Sequence, residues 1–146
     1  MIGLLQRVTQ ASVTVDNAVV GQISKGLLVL VGVQKHDTEQ SAARLLERLL
    51  GYRVFSDEQG KMNLALNDIK GGLLLVPQFT LAADTKKGMR PSFSSAAPPL
   101  QGEQIFSMLV ELAKHQYHDV ATGVFGADMQ VALVNDGPVT FWLETL

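Results

Sequence analysis

Two short stretches of the chain combine polar side chains and backbone groups in a way that could support chemistry. Pro77-Gln78-Phe79-Thr80-Leu81 follows an apolar segment, so the side chains of Gln78 and Thr80 would flank backbone N–H groups where a strand ends. The other stretch is Asn135-Asp136-Gly137-Pro138-Val139-Thr140. Taken alone, the first is more readily interpreted as a strand end with a buried Phe79, and the second as an ordinary loop.

The other reactive side chains do not form a recognisable site. The chain lacks cysteine, which excludes thiolate catalysis, disulfides and cysteine metal sites. His36 lies in a charged turn, and no nucleophile is evident beside any histidine for a Ser-His-Asp arrangement. His115 and His118 could share a metal, but no third ligand accompanies them. Phosphate-binding and dinucleotide-binding fingerprints are also missing. We therefore expect no metal and no cofactor.

The charge of the chain limits how it could hold a nucleic acid. The formal net charge is −2 and the pI is near 5.9, whereas proteins that follow a long phosphate backbone are usually basic. The one local cluster is Lys86, Lys87 and Arg90, in a stretch from Asp84 to Pro99 that glycine and proline mark as a loop. Such a cluster is usually a solvated loop, but it could hold one or two phosphates at the end of a nucleic acid.

A single α/β domain over residues 1–146 must position these groups, since no linker or repeat divides the chain. The N-terminus does not resemble a signal peptide, and the longest apolar stretch, 26–33, is too short to span a membrane. We therefore expect no membrane contact and a cytoplasmic location.

Apolar patterning predicts strands interrupted by two main helices. The first helix should begin near Asp37-Thr38, with Asp37 and Gln40 as a capping box and an apolar stripe of Leu45, Leu46, Leu49 and Leu50. The second should cover 103–117. Strands are predicted at 12–15, 18–23, 27–33, 52–55, 73–76, 129–134 and 139–143, with turns at 16–17, 56–60 and 135–138. This pattern favours a mixed, barrel-like curved sheet with the helices outside.

Several motifs in the same order resemble those of the D-aminoacyl-tRNA deacylase family. Residues 135–140 match the family's C-terminal motif, and Gln78-Phe79-Thr80-Leu81 matches all but the first position of its other signature. The similarity covers nearly the whole chain. It includes Gln6-Arg7-Val8 with Ala11-Ser12-Val13, 26–33, 60–64, Ala83-Asp84-Thr85 with Arg90-Pro91-Ser92-Phe93, and Phe125-Gly126-Ala127.

The resemblance implies a homodimer that hydrolyses the ester of D-aminoacyl-tRNA, and also mischarged glycyl-tRNA, as chiral proofreading in translation. Gly137-Pro138 of one subunit would enter the partner's pocket in trans, with a cis peptide bond, and reject L-amino acids. Phe125 and Met129 match positions that line the pocket. Lys86, Lys87 and Arg90 would then contact the tRNA near its aminoacylated 3′ end.

The absence of an activated nucleophile favours direct attack by water, with the ribose 2′-OH as a candidate assistant. Backbone N–H groups near Gln78, Phe79 and Thr80 would stabilise the oxyanion, while Thr80 as nucleophile ranks second because it lacks a base. One departure from the family is Pro77, which stands where serine is usual and removes a hydroxyl and an N–H. A non-catalytic binding module and a general acyl esterase remain the alternatives.

Overall fold

A long first strand, β1 (Ile2–Val15), organises the computed structural model, which describes residues 1–146. The other elements are β2 (Ala18–Ile23), β3 (Gly26–Gly32), α1 (Glu39–Gly51), β4 (Phe55–Ser56), β5 (Met62–Leu64), α2 (Leu66–Ile69), β6 (Gly72–Pro77), a 3-10 helix (Phe79–Ala82), α3 (Pro99–Gln116), β7 (Val120–Thr122) and β8 (Gln130–Glu144). None of the helices is long and apolar enough to cross a membrane.

The main sheet is mixed, as predicted. Its strand order is β2-β1-β3-β6-β7, and β8 pairs with the remaining edge of β1. β3, β6 and β7 run parallel to one another, whereas the pairs that involve β1 are antiparallel. The sheet curves until β2 approaches β7: a Cβ added to Gly21 would lie 2.6 Å from the carbonyl oxygen of Thr122. This near-closure confirms the barrel-like architecture.

The two main helices lie on the outer face of the sheet, and their apolar stripes form the larger core. Leu45, Leu46 and Leu49 of α1 are fully buried, as the spacing predicted, and Leu109 of α3 packs in the same cluster. Burying one such leucine contributes about 1.5–3 kcal/mol. A smaller cluster that includes Val8, Val13, Ile23, Leu28, Leu74 and Val76 fills the inside of the barrel.

The first helix begins where it was predicted, whereas its capping box and the start of the second main helix differ from the prediction. The capping box of Asp37 with Gln40 was wrong, because the Asp37 carboxylate lies 2.6 Å from the buried α-ammonium of Met1. Thr38 is the N-cap instead, and its backbone N–H donates to Ser41 Oγ at 3.0 Å. α3 begins at Pro99, four residues before the predicted start, since proline is well suited to the first helical turn.

The strands predicted at 18–23 and 27–33 match β2 and β3, whereas the strand predicted at 12–15 is only the end of β1, which begins at Ile2. The 16–17 hairpin is confirmed, since Asp16 and Asn17 both have positive φ. The strand predicted at 52–55 is reduced to β4, and the short β5, α2 and β7 were not predicted. The turn predicted at 135–138 was wrong: β8 runs through it as one strand with a local irregularity.

Candidate functional site

A cleft of about 630 Å³ opens at the carboxyl ends of the parallel strands β3 and β6. Its walls are mostly apolar and are formed by residues that include Val31, Val33, Pro77, Phe79, Phe93, Phe106 and Phe125. Phe125 lies against α3 at Gly102, where a Cβ would be 3.4 Å from the Phe125 ring. The volume and the apolar lining are typical of a small-molecule site.

The 3-10 helix supplies hydrogen-bond donors beside this cleft. The N–H of Gln78 donates to Val31 O at 2.7 Å, so it is already engaged within the fold. Phe79 and Thr80 begin the 3-10 helix, and the first N–H groups of a helix have no acceptor within it. No turn, loop or cap carbonyl accepts from these two groups either. They are therefore available to a ligand.

The side chains around these donors do not form a base-activated nucleophile. Gln78 Nε2 donates to Thr80 Oγ1, and an amide N–H cannot remove a proton from a hydroxyl. None of the residues that line the cleft is histidine, aspartate or glutamate. Groups of three or more acidic or histidine side chains placed to hold a metal do not occur in the structure. The arrangement can polarise a carbonyl, but it does not activate Thr80.

Pro77 ends both β6 and its hydrogen-bond ladder with β7. The odd-numbered residues of β6 direct their polar groups toward β7: the N–H of Leu73 donates to Asp119 O, and Leu75 O accepts from Gly123 N–H. Pro77 is the next residue of this series and lies beyond the end of β7. The register of the ladder would direct an N–H at position 77 toward Gly123 O, just past β7, so the proline costs one hydrogen bond at the end of the ladder.

The outer side of the cleft is a rim formed by residues 78–94. Phe79 and Phe93 face each other with ring centroids 5.3 Å apart. The segment from Asp84 to Ser92, here called the basic loop, is closed by two hydrogen bonds between its end residues, of 2.7 and 2.9 Å. It carries the predicted Lys86, Lys87 and Arg90 in exposed positions. The three basic residues that were singled out from the sequence therefore lie on the loop that leads into the wall of the cleft.

The Asn135–Thr140 motif forms a bulge in β8. Gln6 pairs with Thr140 and Val8 with Asn135, so four residues of β8, here called the bulge (136–139), lie opposite Arg7 alone. Asn135 closes the bulge: its Oδ1 accepts from Val139 N–H at 2.7 Å, and its Nδ2 donates to Thr140 Oγ1 at 2.9 Å. The peptide bond between Gly137 and Pro138 is cis, as expected.

Arg7 fixes the other side of the bulge. Its Nε donates to Asp136 O at 2.9 Å, and its Nη1 donates to Val54 O at 2.7 Å. The Arg7 side chain is 13% exposed, so these are largely desolvated bonds from a charged donor. The motif comparison included Arg7, but the sequence did not assign it a role. The available signal was that Arg7 is the one charged residue of β1.

The predicted site residues are only partly brought together within one chain. Phe79 and Phe125 line the cleft, whereas Gly137 and Pro138 do not. Arg7, which lies opposite the bulge, pairs with Leu27 of β3. Val31, which lines the cleft, is four residues further along β3, so Leu27 and Val31 are roughly 13 Å apart along the strand. Gly137 and Pro138 are nevertheless exposed to solvent.

Met129 does not line the cleft but packs against the cluster inside the barrel, and two residues that do line the cleft were not predicted as site residues. Gly123 separates Met129 from Pro77: a Cβ on Gly123 would lie 2.8 Å from Met129 Sδ and 3.4 Å from Pro77 Cδ. Lys35 and Phe93 line the cleft, although neither was assigned a role from the sequence. For Phe93 the available signal was the matched segment Arg90-Pro91-Ser92-Phe93, whereas no matched motif contained Lys35.

Comparison with known proteins gives a consistent result. Residues 4–144 match the family model described as D-Tyr-tRNA(Tyr) deacylase. The chain is similar to proteins named D-aminoacyl-tRNA deacylase from Pseudomonas putida, at 66% identity over 99% of both chains. It is also similar to one from Pseudomonas aeruginosa, at 64% identity over 99% of this chain and 100% of the relative.

Solved structures share the fold over the full length. One described as c-Myc DNA Unwinding Element Binding Protein has a TM-score of 0.95 at 38% identity and covers 100% of this chain and 99% of its own. Another, described as a probable eukaryotic D-amino acid tRNA deacylase, has a TM-score of 0.83 at 16% identity, with 99% and 98% covered. The second similarity concerns the fold alone.

Proposed function

The chain belongs to the D-Tyr-tRNA(Tyr) deacylase family, and we propose that its cleft binds the aminoacylated 3′ end of tRNA and hydrolyses the ester by direct attack of water. The protein is an enzyme, a D-aminoacyl-tRNA deacylase. The observation that carries the mechanism is the pair of unengaged N–H groups of Phe79 and Thr80 beside an apolar cleft.

In the proposed reaction, water attacks the ester carbonyl and the Phe79 and Thr80 N–H groups donate to the oxyanion that forms. The bond between the carbonyl carbon and the ribose oxygen then breaks, and that oxygen takes up a proton to regenerate the tRNA hydroxyl. The other product is the free D-amino acid. One such donor contributes about 10²–10³ in rate in other enzymes. The ribose 2′-OH is a suitable proton carrier, because the cleft itself offers no carboxylate or imidazole.

The Gln78 side chain has a positioning role in this scheme. Its amide holds the Thr80 hydroxyl, which keeps the first turn of the 3-10 helix in place. The alternative in which Thr80 is the nucleophile requires a base, and a threonine without one is weakly nucleophilic. The water mechanism is therefore favoured over a covalent one.

The filter against L-amino acids comes, in this proposal, from Gly137-Pro138 of a second subunit. Within one chain, Leu27, the β3 residue level with the bulge, lies roughly 13 Å along the strand from Val31 at the cleft, so a subunit would not complete its own site. A rigid backbone wall placed where an L side chain must go excludes it more strongly than apolar preference could, since one methylene changes binding by only about 1–3 kcal/mol. Glycine has no side chain, so glycyl-tRNA should partly pass the filter.

The edge of β8 that pairs with no other strand supports the proposal of a dimer. β8 pairs only with β1, and it exposes Leu133, Val134, Phe141 and Trp142, the last at 51%. A long unpaired edge with apolar side chains is prone to association, and a two-fold axis would bring the same surface of two copies together. Gly137 and Pro138 lie on this strand and would be carried to the partner.

The oligomeric state can be tested without substrate. Sedimentation at micromolar concentration should give twice the monomer mass, and Trp142→Glu should weaken association because it places a charge in the contact. Met62→Glu, at a similarly exposed methionine in β5, is the matched control and should remain a dimer. A fully active monomer would contradict the trans arrangement.

The tRNA contact would be local. Lys86, Lys87 and Arg90 would bind phosphates near the 3′ end, and the net charge of −2 suits a protein that holds an end rather than a long duplex. Replacing the three residues by alanine should raise KM for charged tRNA and reduce its dependence on salt. A cytoplasmic location is part of the proposal, because aminoacyl-tRNA is used there.

The decisive experiment compares matched substrates. Purified protein should release the amino acid rapidly from D-aminoacyl-tRNA, more slowly from glycyl-tRNA, and scarcely from the L form of the same tRNA. Hydrolysis of a simple ester such as p-nitrophenyl acetate at a comparable rate would favour a general esterase. Tight tRNA binding without release of the amino acid would favour a binding module.

A further inference from the structure

We propose that the α-ammonium of Met1 must be free of any acyl group for the chain to reach its stable form, and that hydrolysis of an N-formyl group there has to precede the completion of folding. The ammonium is enclosed by oxygen acceptors from Gln34, Asp37 and Thr145. The inference is independent of the proposed function, because it concerns how one wall of the cleft is assembled and not the reaction within the cleft.

Every proton of the Met1 ammonium has an acceptor of its own. The nitrogen donates to Asp37 Oδ1 at 2.6 Å, to Gln34 Oε1 at 3.0 Å and to the carbonyl oxygen of Thr145 at 3.0 Å. An ammonium has three N–H donors, so these bonds use all of them. Met1 is fully buried and packs in the larger core, so water does not replace a bond that is lost. The site is therefore matched to a free ammonium.

An acyl group on this nitrogen would remove most of these contacts. It converts the ammonium into an amide, which has no charge and a single N–H. At most one of the three acceptors would then keep its donor. The Asp37 carboxylate would be affected most, because no other cation lies within 4 Å of it. A buried carboxylate that loses its only partner is strongly destabilising.

Hydrolysis of a formyl group restores the full set of donors. Water adds to the formyl carbon, the bond between that carbon and the Met1 nitrogen breaks, and formic acid leaves. Its proton passes to the amine, so the products are formate and the ammonium. The reaction belongs to a separate amide hydrolase that acts on the unfolded N-terminus, because the folded chain encloses the nitrogen.

The ammonium also braces one wall of the cleft. Asp37 Oδ2 accepts from the Gln34 backbone N–H at 2.7 Å, so the carboxylate that holds the ammonium also closes the turn at 34–37. Lys35 in this turn and Val33 just before it both line the cleft. Loss of the free ammonium should therefore loosen this wall as well as lower the stability of the whole chain.

The test compares protein with a free N-terminus with protein expressed in the presence of a deformylase inhibitor. Mass spectrometry identifies the molecules that retain the formyl group. We expect these to collect in the insoluble fraction or, where they are soluble, to unfold about 10 °C lower. A chain with one glycine added before Met1, released by cleavage of a tag, should show the same loss, since its amide at Met1 is also uncharged. Equal thermal unfolding of all three proteins would overturn the proposal.

Two matched variants separate the ion pair from the loss of a carboxylate in general. Asp37→Asn keeps an acceptor for the Gln34 N–H but removes the charge that faces Met1. Asp68→Asn is the control, because Asp68 Oδ2 likewise accepts from a backbone N–H, that of Ala65, at 2.7 Å. Adding the glycine should lower the unfolding temperature by about 10 °C in Asp68→Asn and by much less in Asp37→Asn. Equal losses in both would contradict the pairing of the ammonium with Asp37.

Native-state hydrogen exchange locates the effect within the fold. In the glycine-extended chain the amides of 33–37 should exchange faster than in the unaltered protein, and by a larger factor than the amides of the bulge. These measurements use no substrate, so the result stands even if the proposed deacylation fails. A uniform increase across both segments would contradict the bracing of the cleft wall.

Discussion

The bulge and the rim are held in place by different kinds of contact. The bulge is fixed from two sides by buried or half-buried partners, Asn135 within its own strand and Arg7 from β1. The rim is held mainly by its own neighbours, through the hydrogen bonds between Asp84 and Ser92 and the bond between Gln78 and Thr80. The bulge thus combines a local brace with a charged donor from a distant strand, whereas the exposed part of the rim, from Asp84 to Ser92, is closed by bonds between its own ends.

This difference matches the roles that we propose. A wall that rejects one enantiomer must be rigid. It therefore needs support from more than one element, so that the movement of a single neighbour does not displace it. A rim that receives a flexible nucleic acid end needs exposed surface and free donors, and the N–H groups of Phe79 and Thr80 provide the donors. Substitutions in the bulge should therefore cost more activity than substitutions in the rim.

Gly137→Ala should have the largest effect. Gly137 has a φ of +142°, and a Cβ would lie 2.7 Å from Val139 Cγ2 and 3.0 Å from Val139 N, so the backbone must shift. We expect at least about a hundredfold loss of D-aminoacyl-tRNA deacylation, the scale of a 1 Å misplacement, with no gain on L substrates. Gly60→Ala, also at positive φ but in open space, should lose some stability and keep its activity. Efficient L-specific hydrolysis by the Gly137 variant would contradict the wall.

Arg7→Leu should have the next largest effect. It leaves Asp136 O and Val54 O without their partner, at a cost of about 1–3 kcal/mol for each buried group. Deacylation should fall about tenfold or more and discrimination against the L substrate should weaken, because the bulge loses one of its two supports. Thermal unfolding checks the stability. Arg44→Leu removes an exposed pair with Glu47 and should change neither property; equal losses in both variants would argue against a specific role for Arg7.

Thr80→Val should have a moderate effect, because valine preserves the shape and the backbone N–H while removing the hydroxyl. We expect a loss within about tenfold, less than the 10²–10³ that a donor contributes. Single-turnover kinetics give the rate, and mass spectrometry of the quenched reaction detects any acyl-enzyme. A trapped acyl group on Thr80, together with complete loss of turnover in the variant, would replace the water mechanism with a covalent one.

Pro77→Ser should have the smallest effect. The N–H that serine adds would point toward Gly123 O at the end of the ladder, and the hydroxyl adds a donor beside the cleft. The deacylation rate should rise by up to a few fold or stay unchanged. Pro91→Ser, in the basic loop and away from the cleft lining, controls for added backbone flexibility. A marked fall for Pro77→Ser alone would mean that the cleft has been repacked around the proline.

The sequence predicted the parts of the fold that depend on local pattern. The stripe of Leu45, Leu46 and Leu49 predicted a helix packed on a sheet, and the Asp16-Asn17 pair predicted a hairpin, because helical spacing and turn preference are properties of a few adjacent residues. The matched motifs also identified Phe79 and Phe125, which the folded chain places in one cleft.

Other features depended on partners far away in the chain, and local pattern could not supply them. Asp37 has the spacing of a helix cap, but it binds the Met1 ammonium because the first strand brings that group to it. Residues 135–138 have the composition of a turn, yet pairing with β1 on both sides keeps them within one strand. In both cases a tertiary contact outweighed a local preference of about 1 kcal/mol.

The sequence by itself determined the family, the mixed sheet with its helices, and the two motifs that contain the reactive groups. The tertiary structure decided which groups are free to act. It engaged the Gln78 N–H with Val31 and left those of Phe79 and Thr80 open, and it separated the bulge from the cleft of the same chain. The physical reason is that a hydrogen-bonding group is available only if folding brings no other partner to it, and that depends on residues distant in the sequence.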